Sequence, residues 1–390
     1  MQIYLDNSAT TKPRPEAIAI LETVLQQQWG NPSSLHDWGQ RSATVLETAR
    51  MQVAGLLNAL ESESIVFTSG GTEANNLAIL GIAQQYSTPQ HIIISSVEHS
   101  AINEPCKLLE KSGWQVTRLA VNQYGRVNPL DLQAALQENT VLVSIIYGQS
   151  EVGTLQPIEQ LVQITKDHGS LFHTDAVQVA GRLPLDVQQL GVDLLSLSSH
   201  KIYGLQGAGA LYIRPGTKLL PYIRGGGQEA QIRSGTQALP AIAAFGVAAQ
   251  MAAQEIKTEV PRLRALRDRL FDLLADYPYL EATGDRLYRL PHHVSFILSD
   301  RATAQAQNIT GKTIVRQLNL AGIGISAGSA CHSGKLNPSP TLLAMGYDAA
   351  AAKRGIRLTL GRETIQADID WTAMVLKQVV CRLLPPLVYC

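Results

Sequence analysis

Residues 140–176 read TVLVSIIYGQSEVGTLQPIEQLVQITKDHGSLFHTDA. The opening run, TVLVSIIY at 140–147, is largely apolar and β-branched, and SLFHTDA at 170–176 is a second, more mixed strand candidate. Between them IEQLVQITKDHG at 158–169 has a helical pattern and ends on glycine. A strand, a helix and a strand in that order need a crossover connection, which makes the two strands parallel neighbours in a sheet covered on both faces. The pattern recurs on either side, with strand-like IVF at 65–67, HIIISS at 91–96, DLLSLSS at 193–199 and GALYIRP at 209–215, and a helix-like EANNLAILGIAQQY at 73–86. These alternations predict an α/β protein on a largely parallel sheet.

From about residue 238 the pattern changes to a long helical tract, ALPAIAAFGVAAQMAAQEI running into VPRLRALRDRLFDLLADY. Beyond it, strand-like HHVSFIL (292–298) and GIRLTLG (355–361) mix with helical KTIVRQLNLAG (312–322) and DIDWTAMVLKQVVCRLL (368–384). The 390 residues therefore divide into an expected large domain at 13–260 and a smaller α+β domain formed by 1–12 and 261–390. Basic and acidic side chains balance at 32 each, and no basic stripe points to nucleic acid as a partner. No apolar run approaches the roughly 20 residues of a bilayer span, and MQIYLDNSATTKPRPEA has no signal-peptide pattern, so a cytoplasmic protein with no membrane partner is expected. The four cysteines, Cys106, Cys331, Cys381 and Cys390, show no CxxC or metal-ligand spacing, so no metal is expected.

Several short stretches carry chemistry. In FTSGGTEANNLAI at 67–79 a strand ends, two glycines turn, and a helix starts near Thr72, which aims free N–H groups and a positive helix end at one point. A phosphate fits there, although such turns are as often purely structural. SLSSHKIYG at 196–204 sets Lys201 just past a buried strand, beside Ser198 and His200. Alone it reads as a surface lysine, while a partly apolar pocket would make its amine a nucleophile. Asp175 ends another strand, where it could cap a helix or pair with a protonated pyridine nitrogen. His99, in SSVEHSAIN, could stack on a flat ring.

With these residues assembled, the chain resembles the cysteine desulfurases of the NifS/IscS type, among the fold-type I enzymes that depend on pyridoxal 5′-phosphate. The likeness runs from YLDNSATT at 4–11 to LTLGRETIQADID at 358–370, through GNPSSLHDWG (30–39), VEH (97–99), HTDAVQ, SSHKIYG, GGGQEAQIRSGT (225–236) and SAGSACHSG (326–334). It implies a large domain with a mainly parallel seven-stranded sheet and a smaller α+β domain. It also implies that Lys201 carries the cofactor, that Gly71, Thr72, Ser198, Ser199 and His200 hold its phosphate, and that Thr236 completes that site from the partner of a homodimer. Asp175 would pair with the pyridine nitrogen, Gln178 would bond the ring oxygen, and His99 would stack on the ring and shuttle protons. Arg357, helped by Asn31, would clamp the carboxylate of L-cysteine, because a guanidinium fork binds carboxylate bidentately.

The implied reaction takes sulfur from L-cysteine onto a protein thiolate, leaving alanine, and delivers it to an acceptor such as an iron–sulfur scaffold. Cys331 suits that thiolate, since its neighbours from Ser326 to Gly334 are small and the stretch to about 341 has the composition of a mobile loop. The chain departs from the family pattern at Gln149, where an asparagine ordinarily bonds the ring oxygen, at Leu205 and Gln206, and at His332. Selenocysteine lyase, an aminotransferase of the same fold, and a degenerate assembly scaffold are the competing expectations.

Overall fold

The computed structural model describes residues 2–300, 309–328 and 337–384. In chain order the elements are β1 (Ile3–Tyr4), α1 (Pro15–Gln27), α2 (Asp37–Leu56), β2 (Ile65–Thr68), α3 (Gly71–Ala83), β3 (His91–Ser95), α4 (Ser100–Lys111), β4 (Gln115–Leu119), α5 (Pro129–Ala135), β5 (Thr140–Ser144), α6 (Ile158–His168), β6 (Leu171–Asp175), α7 (Val187–Leu190), β7 (Leu194–Ser198) and β8 (Gly209–Ile213). They continue with α8 (Leu239–Leu274), β9 (Leu280–Ala282), β10 (His293–Leu298), α9 (Gly311–Leu320), β11 (Ile323–Gly324), α10 (Pro340–Ala344), β12 (Gly355–Thr359) and α11 (Gln366–Leu383).

The expected sheet is present with seven strands in the order β2-β8-β7-β6-β5-β3-β4. Its pairs from β4 through β3, β5 and β6 to β7 are parallel, and β8 runs antiparallel to both β2 and β7. Strands β2, β3, β7 and β8 are buried at every position, which is why they read as mostly apolar runs broken only by small or buried polar residues such as Ser196 and Ser198. Alternate residues serve opposite faces. Ile65, Phe67, Ile93, Val143 and Leu195 pack toward α2, α6 and α8, while Val66, Ile92, Ile94, Leu142 and Leu194 pack toward α3 and α4. The seventh strand, β4, escapes the sequence reading because it is a half-exposed edge whose residues, QVTRL, mix polar and apolar side chains.

A second core collects Val294, Phe296, Ile356 and Leu358 from the three-stranded antiparallel sheet β12-β10-β9, together with Ile314, Leu376 and the last turns of α8. Helix α8 belongs to both cores, with Phe245 and Ala248 in the first and Leu270 and Phe271 in the second. By length and composition alone α8 would suffice to cross a membrane, but half of its apolar window is buried inside the protein, packed on α1, α2 and α11. The N-terminal strand β1 pairs in parallel with β11 of the second core. The chain after it then crosses to the large sheet, with Asn7 Nδ2 donating to the Thr359 carbonyl at 2.8 Å and Thr11 N to the His200 carbonyl at 2.9 Å.

Candidate active site

The carboxyl ends of β6 and β7 and the amino end of α3 open onto one cavity of about 250 Å³. In open α/β sheets this edge is where ligands bind, because strand-end turns and helix N-termini converge there. Gly71, Thr72, His99, Asp175, Gln178, Ser198, His200, Lys201 and Arg357 all line it. One turn of 3₁₀ helix at Ser199–Lys201 carries His200 and Lys201 over the end of β7.

Lys201 Nζ donates to the carbonyls of Ser8 at 2.6 Å and Ala9 at 2.7 Å. The Ser8 carbonyl also accepts from Gln178 Nε2 at 3.0 Å, so the N-terminal segment organises both side chains. His200 Nδ1 meets Thr10 Oγ1 at 3.1 Å. Burial and the adjacent Lys201 charge push the His200 ring down to about 4, so it is neutral near pH 7.

Asp175 is buried, with Oδ2 accepting from Asn75 Nδ2 at 2.7 Å and Oδ1 from the Val177 amide at 3.0 Å. Asp175 thus caps a turn after β6 rather than a helix, and it lines the cavity with its carboxylate. Behind it sits Glu98, which sequence reasoning missed. Its Oε1 accepts from Ser95 Oγ at 2.5 Å and from the Ile146 amide at 2.8 Å, while Oε2 is buried with no partner among the described residues. Burial, reinforced by the Asp175 charge, raises this carboxyl to about 8. His99 Nδ1 accepts from the Ala101 amide at 3.1 Å as the N-cap of α4, which in the neutral ring puts the proton on Nε2.

At the other end of the cavity α3 starts without a side-chain cap at Gly70, so its first amides are free to face a ligand. A Cβ on Gly71 would stand 2.8 Å from Val177 Cγ2 and 3.4 Å from Ser198 Cβ, so a larger residue there would have to displace Val177. Arg357 is buried on β12, donating from Nη2 to Asp6 Oδ1 at 2.8 Å and from Nη1 to the Ser150 carbonyl at 3.0 Å. Its Nε has no partner among the described residues.

This lining fits pyridoxal 5′-phosphate. Helix-end amides and the Ser198 hydroxyl suit a phosphate, a buried carboxylate held by Asn75 suits a ring nitrogen, and an amine lies on the same wall.

Four expected residues are not in the lining. Gln149 is buried away from the cavity, with Nε2 donating to Thr341 Oγ1 at 2.9 Å and Oε1 accepting from the Val152 amide at 2.9 Å, so its polar atoms are already occupied. The expectation that Gln149 contacts the cofactor ring is corrected on that ground: its side chain turns away from the cavity, and the next residue, Ser150, lines it instead. Ser199 is fully buried behind the turn, with its hydroxyl unpartnered among the described residues. Asn31 is exposed and its Oδ1 accepts from the Ser33 amide at 2.9 Å. Thr236 is exposed as well. Cys331, with most of its small-residue stretch, lies outside the described residues. Cys106 is no rival nucleophile, since burial pushes its thiol up to about 12.

Sequence comparison matches residues 3–371 to the family described as "Aminotransferase class-V". The chain belongs to this family. A relative in Dictyoglomus turgidum, the cysteine desulfurase IscS, is 43% identical, with 98% of this chain and 95% of that protein covered. The cysteine desulfurase IscS of Methanosarcina thermophila is 41% identical, covering 98% of this chain and 92% of that protein. Among solved structures, a NifS-like protein superposes with a TM-score of 0.90 at 31% identity, covering 98% of this chain and all of that one. The NifS-like protein of Rickettsia africae gives 0.86 at 30% identity, covering 97% and 99%. The class-V fold accounts for the sheet order and for the place of the cavity. Asn75, Glu98, Ser8 and Ala9 are the parts of this class-V site that the sequence reading did not find. The one signal available was their position inside the motifs already quoted for other residues.

Proposed function

We infer that the chain is a cysteine desulfurase dependent on pyridoxal 5′-phosphate, converting L-cysteine to L-alanine with transfer of the sulfur to a protein thiol. The observation that carries this reading is the cavity, where Lys201, Asp175, His99 and Arg357 meet in a chain with desulfurase relatives over nearly its whole length.

In this reading the first amides of α3 at Gly71 and Thr72, with Ser198 and His200, hold the cofactor phosphate, and Asp175 holds the ring nitrogen. When bound, the cofactor supplies an electron sink for charge that develops on an amino-acid Cα. Asn75 orients the Asp175 carboxylate, and neutral Glu98 leaves Asp175 as the negative charge that faces the ring. Lys201 Nζ would be the amine that holds the cofactor and, when free, the base that takes the Cα proton, with the Ser8 and Ala9 carbonyls steadying its ammonium form. His99 holds a second transferable proton on Nε2. Arg357, fixed in orientation by Asp6 and Ser150, would receive the substrate carboxylate where its guanidinium borders the cavity. Cys331 takes the sulfur as a persulfide and passes it to an acceptor protein, for which an iron–sulfur scaffold is the leading candidate.

A homodimer is also proposed, with Thr236 reaching the partner's phosphate site. Its exposure on its own chain supports this, as do the exposed Trp29, Leu35 and Trp38 nearby in the sequence of the Asn31 loop. The decisive experiment is incubation of the cofactor-loaded protein with L-cysteine, followed by mass analysis. One added sulfur on Cys331 and stoichiometric alanine are expected; alanine with Cys331 unmodified would move the thiol elsewhere, and no alanine would overturn the activity.

A further inference from the structure

Residues 149–151 form a corner after β5 whose neighbours point in opposite directions. Ser150 lines the cavity and its carbonyl accepts from Arg357 Nη1 and, at 3.1 Å, from His293 Nε2. Gln149 and Glu151 face away, toward the chain before α10. Glu151 Oε2 accepts from Ser339 Oγ at 2.5 Å and Oε1 from Thr341 Oγ1 at 3.1 Å, and the same Thr341 hydroxyl accepts from Gln149 Nε2 at 2.9 Å. All four side chains are buried. On the opposite flank a Cβ built on Gly328 would lie 3.6 Å from Glu151 Oε2 and 3.9 Å from Ser339 Cβ. Two residues earlier, Ser326 exchanges both backbone hydrogen bonds with Arg357, at 3.1 and 2.8 Å. The described ends of the segment that carries Cys331 therefore converge on one buried carboxylate, one residue away from the contact that orients Arg357.

We propose that Gln149 and Glu151 are positioning residues for the sulfur-transfer half of the reaction, acting through Ser339 and Thr341 on the chain that bears Cys331. The proposal rests on the desulfurase reading above and assigns the Gln149 corner to the thiol rather than to the cofactor. A buried, fully hydrogen-bonded network of this kind fixes geometry because each unpaired group would be costly to leave in the interior.

The test uses the cofactor-loaded protein and the pair Thr341→Val and Thr341→Ser, the first losing the bridging hydroxyl and the second keeping it, with Gln149→Leu as an independent variant. For Thr341→Val and Gln149→Leu, single-turnover formation of the Cys331 persulfide is expected to slow by about ten-fold or more, as misplacement of a reacting group does. Exchange of the Cα hydrogen of L-alanine for solvent deuterium, which needs no thiol, and the visible absorbance of the bound cofactor should stay within about two-fold of the unsubstituted protein. Amide hydrogen exchange over residues 337–345 should accelerate in Thr341→Val and Gln149→Leu and return to normal in Thr341→Ser. Unchanged persulfide formation, parallel loss of alanine exchange, or unaltered amide exchange over 337–345 would each overturn the proposal. Failure of the desulfurase reading shows separately, as absence of persulfide in the unsubstituted protein, and the amide-exchange readout still decides whether Gln149 and Thr341 hold residues 337–345 in that case.

Discussion

Lys201 is held by two carbonyls supplied from the other end of the chain, so its surroundings cannot be judged from residues near position 201. Lys201→Ala is expected to abolish covalent attachment of the cofactor; a variant that still forms a visible chromophore fixed by borohydride would refute its role. Glu98 supports a second prediction at this scale. Its folded-state carboxyl is raised by burial and by Asp175 from 4.5 to about 8. Between those values the folded chain keeps a proton that the unfolded chain has released, so stability falls as pH rises through the window. Glu98→Gln removes that slope. The variant should match the parent near pH 5 and exceed it above pH 8 by on the order of a few kcal/mol, read from urea unfolding at both pH values. Parallel pH profiles would show that Glu98 ionises normally.

Among the elements, the turn at Glu229–Gln231 is the most constrained, with Glu229, Ala230 and Gln231 all at positive φ (48°, 52° and 67°). That conformation is unfavourable for residues with side chains, and the buried Glu229 carboxylate holds it by accepting from Arg50, from the Phe67 amide at 2.8 Å and from Gln237. Glu229→Ala removes one of the two carboxylates on Arg50, leaving Glu47 and the Ile65 carbonyl, and a loss of about 1.5–3 kcal/mol in denaturant unfolding is expected; a loss under about 0.5 kcal/mol would mean the remaining partners and water replace the pair. What could be read in the sequence follows the same physics. The buried strands were legible because burial on both faces leaves a mostly apolar run, and Lys201, Asp175 and His99 were legible as cavity residues because they lie at or shortly after the strand ends. Asn75 and Glu98 were not, since what makes them functional is contact with Asp175 and with the Ile146 amide, far away in the chain. The reading of Gln149 failed because the corner after β5 turns its amide toward Thr341, a partner almost two hundred residues on, and presents Ser150 to the cavity.

For the whole molecule, the proposed pairing of two subunits has a direct test. Lys201→Ala and Thr236→Ala chains are each expected to be weak alone. If Thr236 serves the partner's site, reassembling an equal mixture restores about a quarter of the intact sites, because half of the dimers are mixed and each has one complete site. No recovery in the mixture, with mixed dimers verified by mass, would place Thr236 in its own chain's site or outside the chemistry. The two cores also share a thread. Residues 3–11 pair with Ile323 and Gly324, bond Thr359, and supply the carbonyls that hold Lys201. On a ribosome those first residues emerge long before the strand that fixes them exists. A nascent chain that has already made Lys201 still lacks Arg357 and Thr359, so the pocket cannot close during synthesis. In the proposed reading, closure of the pocket around a cofactor waits for residues 357–359, and a chain truncated before them is expected to hold it less tightly than the full chain.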